Sequence, residues 1–213
     1  MTLRVNEIYR SIQGESSYTG LPCVFVRLTY CNLRCSYCDT EYAFYEGRDY
    51  TVDQTLEEVG RYQCSLVEIT GGEPLLQKEV YPLMDRLVGS GLTVLLETSG
   101  SIDVGSVNPR VIKIMDLKCP SSGECEHNLY NNLDKLQPHD EIKFVIGTRE
   151  DYLWTKCILE QHRLTERFPV LLSTAFGQMQ PSQLVKWLLE DNLKVRFQLQ
   201  AHKYIWDPET RRV

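Results

Sequence analysis

Apolar residues in this chain come in short β-branched and aromatic bursts, separated by polar stretches with helical spacing. "CVFVRLTY" (23–30) is the first clear burst and predicts a strand that feeds directly into a cysteine-rich loop. "LVEIT" (66–70), "LTVLLETSG" (92–100), "VIKIMDLK" (111–118), "EIKFVI" (141–146) and "PVLLST" from Pro169 continue the series, and "KVRFQLQ" is a late strand. Helices are predicted between them. Thr51 and Gln54 have capping-box spacing and open one in "TVDQTLEEVGRY". Residues 79–89 suit a second, closed near Gly91, and 149–163 and 181–190 suit two more. "LEEVGRY" and "LVKWLLEDN" carry ordinary amphipathic faces.

Strands alternating with helices predict a mostly parallel α/β sheet with right-handed crossovers, either a partial β/α barrel or an open sheet. Chemistry in such folds gathers at the C-terminal ends of the strands. The cysteine loop, "TGGEP", "ETSG", "DLKCPSSGE" and "STAFGQ" all follow strands, so they are expected to share one rim and line a pocket.

Composition narrows the class. The 213 residues fall short of the roughly 250 of a complete eight-fold barrel, and one domain spanning 1–213 is expected. A hydrophobic content of 42% with 24% charged residues suits a soluble protein with a core. The net charge of −6 argues against a nucleic-acid surface, which needs clustered Lys and Arg. No apolar run approaches about 18 residues, so no membrane span is expected. The start "MTLRVNEIYR" lacks the apolar stretch of a signal peptide, and the cytoplasm is the expected location. Eight cysteines in a reducing compartment point to metal or catalytic work at the clustered ones, not to a disulfide frame.

Cys31, Cys35 and Cys38 lie together in "RLTYCNLRCSYCDTEYAFY" (27–45), with no fourth cysteine nearby. Structural zinc takes four protein ligands, so a zinc knuckle would need a remote His or Cys; buried thiols are the plainer alternative. Thiolates also suit iron–sulfur clusters. Three cysteines around a cubane leave one iron open, whereas ferredoxin-type runs supply a further cysteine.

Cys-x3-Cys-x2-Cys after a strand, with the aromatic Tyr37 before the third cysteine and "TGGEP" (70–74) after the next strand, resembles the radical S-adenosylmethionine (SAM) superfamily. That resemblance implies a partial barrel, a [4Fe-4S] cluster on Cys31, Cys35 and Cys38, and SAM chelated by the open iron. The reduced cluster then breaks the S–C5′ bond to give methionine and a 5′-deoxyadenosyl radical. In "TGGEP" the glycines permit close approach to the SAM amino group, and Glu73 is expected to accept from it.

Further segments are similar to the family of 7-carboxy-7-deazaguanine synthases: "IYRSIQGESSYTGLPCVFVRLTYCNLRCSYCDT" (8–40), "EITGGEP", "LETSG" and "QLQAHKYIWDP". The resemblance implies a carbon–nitrogen lyase that contracts 6-carboxy-5,6,7,8-tetrahydropterin to 7-carboxy-7-deazaguanine with loss of ammonia, toward queuosine and related 7-deazapurines. It implies catalytic roles for Glu15 and Arg27, and substrate contacts from Ile12, Gln13, Gly14, Glu15, Arg27, Thr70 and His202. Gln13 and Glu15 suit the donor–acceptor edge of a pterin, and Arg27 offers a fork to a carboxylate or ring oxygen. Thr40 is implied as the Mg2+ contact, in keeping with the sparse protein ligation of that ion. SAM contacts are implied at Tyr37, Cys38, Asp39, Gly72, Glu73, Ser99, Asp116, Leu117, Lys118, Ser173, Thr174, Ala175 and Phe176. Many relatives carry Ser-Pro-Lys where this chain has Asp116-Leu117-Lys118, and "HKYIWDPETRRV" runs beyond Pro208, where some relatives stop. A flavodoxin or ferredoxin-type reductant and a homodimer complete the implied picture.

The same residues have plainer readings. Gln13 and Glu15 could be exposed turn residues. Arg27 on an apolar strand needs a partner, for which Glu97 is a candidate. Cys23, Cys64 and Cys157 suit small core positions. Cys119 and Cys125 give two ligands without a clear third, and His127, His139 and His162 suit the surface. The competing functions are a glycyl-radical activase, whose cysteine loop has the same spacing, and a carrier or zinc-stabilised binding module.

Overall fold

The computed structural model describes residues 2–213. Nine strands form one open sheet: β1 (Leu3–Ile12), β2 (Pro22–Leu28), β3 (Arg48–Tyr50), β4 (Leu66–Gly71), β5 (Thr93–Thr98), β6 (Ile112–Asp116), β7 (Glu141–Ile146), β8 (Val170–Thr174) and β9 (Arg196–Phe197). Their order is β3-β1-β2-β4-β5-β6-β7-β8-β9. From β2 to β9 every pairing is parallel, while β1 runs antiparallel to both β2 and β3. The helices are α1 (Val52–Gly60), α2 (Val80–Gly89), α3 (Arg149–Gln161), α4 (Leu164–Arg167), α5 (Pro181–Glu190) and α6 (His202–Ile205). No helix among the described residues is long and apolar enough to cross a membrane.

The predicted partial barrel with a mostly parallel sheet is present, and the capping box at Thr51 forms as its spacing requires. Three elements differ from expectation. The burst at 23–30 is the second strand, because β1 precedes it. The helix expected over 149–163 ends at Gln161, and Arg163 in the left-handed region (φ 51°) turns the chain into α4. The late strand shrinks to Arg196–Phe197 at the sheet edge.

Side chains alternate across the sheet, and the two faces have different jobs. Val24, Val26, Val67, Ile69, Val94, Leu96, Ile142, Phe144 and Leu172 face the helices and join their apolar residues in the main core. On the other face Tyr9, Cys23, Phe25, Leu66, Leu95 and Ile114 form a smaller apolar floor, with Tyr9 and Phe25 stacked at 5.1 Å. Farther along β2, β4, β5, β6 and β7, that same face turns polar at Arg27, Thr70, Glu97, Asp116 and Lys143. An apolar floor below a charged rim is what places the site.

Candidate active site

A cavity of about 660 Å³ opens over that rim. Cys31, Cys35 and Cys38 line one end, and the turn joining β1 to β2, the charged rim and the C-terminal segment line the other.

The cysteine loop leaves β2 through Tyr30, whose backbone sits in the left-handed region (φ 78°), a costly conformation for an aromatic residue. Tyr30 is pinned there by two bonds: its N–H donates to Ala43 O at 3.0 Å, and its carbonyl accepts from Glu73 N at 2.8 Å. The glycine loop therefore presses against the cysteine loop. A Cβ on Gly72 would lie 2.2 Å from Tyr30 O, so only glycine fits this approach. All three thiols are free and half-buried, and burial pushes the Cys35 thiol up to about 11. A cluster must therefore displace protons to bind here.

One further observation fits a cluster and SAM at this end. Among the described residues, Tyr37 Oη and Asp116 Oδ1 are buried without a hydrogen-bond partner, an expensive state that a polar ligand would relieve. Tyr37, Cys38, Asp39, Gly72, Ser99, Asp116, Lys118, Ala175 and Phe176 line the cavity.

Four of the SAM positions behave otherwise. The Glu73 carboxylate is fully buried and already accepts from Leu75 N, Thr98 Oγ1, Ser99 N and Ser99 Oγ. It holds the loop and Ser99 in place, and has no face left for an ammonium. The Leu117 side chain belongs to the main core, which leaves only its backbone for a ligand. Ser173 and Thr174 are buried at the end of β8, behind the lining.

At the other end, Gln13 is buried and braces the turn: its Nε2 donates to Glu68 Oε2 at 2.9 Å, and its Oε1 accepts from Glu15 N at 2.6 Å. A Cβ on Gly14 would strike the His202 ring at 2.4 Å, so the glycine admits the residues around α6. Ala201 N then donates to Gly14 O at 2.9 Å, and Gln200 Nε2 to Glu15 Oε1 at 3.0 Å. Lys143 donates to Glu15 Oε2 at 2.7 Å and pairs with Glu97 and, at 3.7 Å, with Asp116. Lys118 holds Asp116 at 2.9 Å. Burial alone would raise the Glu15 carboxyl, but the Lys143 ammonium overcomes it and holds Glu15 down to about 2. Glu68 goes the opposite way: burial, reinforced by the Glu97 carboxylate, pushes it up to about 8. Burial also lowers His202, favouring the neutral ring.

Arg27 pairs with Glu7, not Glu97. The two face each other in the β1–β2 register, and Nε donates to Glu7 Oε1 at 2.8 Å. Nη2 reaches Tyr9 Oη at 3.2 Å. Ile12, Thr70 and Thr40 also line the cavity. Thr40 precedes a short 3-10 turn (Glu41–Phe44) without capping it, and its hydroxyl lies 3.8 Å from Cys38 Sγ.

Sequence reasoning missed Glu7, Glu68, Glu97 as the partner of Lys143, and Lys143 itself. The available signal was a charged residue at a period-two position inside an otherwise apolar strand, as in "VEIT" and "EIKFVI". Cys157, expected in the core, and His162, expected at the surface, were placed wrongly. Cys157 is exposed, and the His162 ring stacks on Tyr130 at 4.9 Å. Cys119 is a core thiol beside Thr155.

An open parallel sheet with three free thiols in the loop after β2, and a glycine loop pressed against them, defines a radical SAM enzyme. Residues 26–116 match the model of the Radical SAM superfamily, so a [4Fe-4S] cluster and SAM are its cofactors. The chain is 50% identical to the 7-carboxy-7-deazaguanine synthase of Koribacter versatilis, over 99% of this chain and all of that one. It is 45% identical to that of Chlorobaculum tepidum, over 99% of this chain and 97% of the relative. It belongs to the 7-carboxy-7-deazaguanine synthase family. The fold is also that of QueE from Escherichia coli (TM-score 0.80, 24% identity, 95% of each chain). A structure of Streptococcus suis SuiB bound to S-adenosylmethionine shares it more loosely, with a TM-score of 0.55 and 13% identity over 79% of this chain and 48% of that one.

Proposed function

We propose that the protein is a carbon–nitrogen lyase that contracts the ring of 6-carboxy-5,6,7,8-tetrahydropterin to 7-carboxy-7-deazaguanine, releasing ammonia, in 7-deazapurine biosynthesis. One observation carries this reading: a single cavity joins the three free thiols to Gln13, Glu15, Arg27 and Thr70. When bound, the cluster and SAM supply a carbon-centred radical able to abstract hydrogen at the cysteine end.

The chain's own residues do the rest. Gln13 and Glu15, fixed by Glu68, Lys143 and Gln200, present acceptors to the amidine-like edge of the pterin. Glu15 stays ionised at neutral pH because Lys143 neutralises it from behind, so it accepts without needing to lose a proton. Arg27 keeps Nη1 free of protein partners among the described residues, and so can donate to the substrate carboxylate. Thr70 adds a hydroxyl on the neighbouring strand, and neutral His202 closes the wall over Gly14. The Thr40 hydroxyl, which caps no helix and lies 3.8 Å from Cys38 Sγ, would be the protein contact for a Mg2+ ion, which would supply positive charge beside the substrate carboxylate. Holding the pterin between fixed partners while its ring rearranges is the protein's contribution. A flavodoxin or ferredoxin-type reductant and a homodimeric assembly belong to the same reading.

The test is anaerobic turnover of the reconstituted, reduced protein with SAM, Mg2+ and 6-carboxytetrahydropterin, followed by mass spectrometry. The expected product is 7-carboxy-7-deazaguanine, without matching accumulation of 5′-deoxyadenosine. SAM cleavage with no deazapurine would remove the substrate from the reading and leave the superfamily.

A further inference from the structure

Behind Arg27 the structure places an arrangement that binding of a pterin does not by itself require. Glu7 is buried, and its Oε1 accepts from both Arg27 Nε (2.8 Å) and Tyr42 Oη (3.0 Å). Its second oxygen, Oε2, faces Arg212 Nε at 3.5 Å. The neighbouring Arg211 guanidinium lies 3.8 Å from the centroid of the Tyr42 ring and pairs with Glu46 at 3.3 Å. Residues 208–213 line the same cavity as Arg27. Two consecutive arginines of the C-terminal segment therefore grip Glu7, which holds Arg27, and Tyr42, which donates to the same Glu7 oxygen.

We propose that residues 208–213 form a strap that aligns Arg27 through Glu7 and Tyr42, and so sets the preference of the site for a carboxylated pterin. The proposal rests on Arg27 as the reader of the substrate carboxylate. Its physical basis is the division of the Glu7 carboxylate. One oxygen serves Arg27 Nε and Tyr42, and the other serves Arg212, while Arg27 Nη2 turns to Tyr9 Oη at 3.2 Å and Nη1 is left for the substrate. Without Arg212, a buried oxygen loses its cation, and unpaired buried charge is costly. The carboxylate relieves this by turning both oxygens onto Arg27, in the bidentate geometry that guanidinium and carboxylate favour. Glu7 would then claim Nη2, which lies on the same edge of the guanidinium as Nε, draw it away from Tyr9 and swing the plane, so that Nη1 leaves its line to the substrate. Arg212 is thus a positioning residue that acts without touching the substrate.

The experiment compares wild type, Arg212→Gln, Glu7→Gln, the double variant and a chain ending at Pro208, each reconstituted and assayed with 6-carboxytetrahydropterin. A 6-methyltetrahydropterin serves as a competitive inhibitor that lacks the carboxylate. Arg212→Gln is expected to raise KM roughly fivefold to tenfold with kcat little changed, the mark of weakened ground-state binding on the scale of one ordinary hydrogen bond. Its Ki for the methyl analogue should stay within about twofold of wild type, a difference too small to signal a lost contact. The double variant should be no worse than Glu7→Gln alone, since Arg212 works through Glu7. The truncated chain should match or exceed the Arg212→Gln defect. SAM cleavage without pterin should be unchanged in Arg212→Gln, because the cysteine end is untouched.

An unmoved KM in Arg212→Gln and in the truncated chain would overturn the strap. So would parallel rises in KM and Ki, which describe a plain cover, or multiplicative effects in the double variant. If wild type itself fails to convert the carboxypterin, the substrate reading falls and takes the strap's role with it. Conversion by wild type with an unmoved variant removes the strap alone.

Discussion

The two ends of the cavity are prepared for their ligands in opposite ways. At the cysteine end the protein offers three free thiols from one loop, with Tyr37 Oη and Asp116 Oδ1 nearby and without partners. At the pterin end the charges already have protein partners: Arg27 with Glu7, and Lys143 with Glu15 and Glu97. The difference follows from what each end must do. A resident cofactor can complete a site that is incomplete without it. A substrate that comes and goes meets a site whose charges must stay in register between turnovers. Changes at the first end should therefore abolish a cofactor, whereas changes at the second should disturb the protein itself.

The largest effect is expected from Cys35→Ala. It should remove the visible absorbance of the cluster and reduce SAM cleavage to background, with far-UV circular dichroism unchanged. Cys125→Ala, outside the cavity lining, is the matched control and should retain both. If Cys35→Ala kept its cluster, the contrast between the two ends would collapse.

Next comes Lys143→Met. The ammonium is almost wholly buried among Glu15, Glu97 and Asp116, and removing it leaves those carboxylates facing one another. Breaking a buried pair by deleting one partner typically costs about 3–5 kcal/mol, so urea unfolding should shift by that order, with turnover lost. Adding Glu97→Gln should recover part of the stability by removing one of the orphaned charges. A shift below about 1 kcal/mol would show that the network is solvated rather than structural.

What the sequence made legible follows the same division. Chemistry concentrated in one short segment could be read from its residues, as in the cysteine loop and the glycine loop, whereas the turn at Gln13–Glu15 stood out only through the family resemblance. Chemistry assembled across the fold could not be read. Lys143 lies 128 residues from Glu15, and only the β6–β7 register brings it beside Asp116. Strand β1 escaped notice because Glu7 stands at a buried position of "LRVNEIYRSI", where an apolar residue would have completed the alternation. Arg27 could be seen to need a partner, but the sequence suggested Glu97, and only the β1–β2 pairing brings Glu7 to it. Glu73 misled for another reason. A carboxylate after two glycines resembles a ligand contact, yet its buried place lets four local donors claim it.

A smaller effect separates two carboxyls of the pterin end by pH. Glu68 is held up at about 8 in the folded protein, against 4.5 for an ordinary glutamate. Between those values the folded state keeps a proton that the unfolded chain has released, so stability falls as pH rises through the window. Glu15, held down at about 2, has the reverse sign. Its contribution is complete above about pH 4.5 and is lost as pH falls toward 2. Urea midpoints measured across pH should therefore decline on both sides. Glu68→Gln should flatten the arm above pH 5 and leave the acid arm, and Glu15→Gln should do the opposite. Identical profiles in the two variants would mean that the carboxyls are not set apart by their surroundings.

The smallest effect tests where one end stops and the other begins. Thr40 follows the last cysteine of the loop, yet its hydroxyl caps no helix and lies 3.8 Å from Cys38 Sγ, too far to support that thiol strongly. Thr40→Ala should therefore leave cluster content unchanged. Mg2+ keeps several waters and takes few protein oxygens, so another water can replace a lost hydroxyl, and the Mg2+ needed for half-maximal turnover should rise only severalfold. The variant should also weaken pterin binding in the presence of Mg2+ and not in its absence, because the ion is the proposed link to the substrate carboxylate. Loss of the cluster in Thr40→Ala would make Thr40 a structural member of the cysteine loop. An unchanged Mg2+ requirement would remove it from both ends, and the junction between cofactor and substrate would have to be sought elsewhere on the cavity wall.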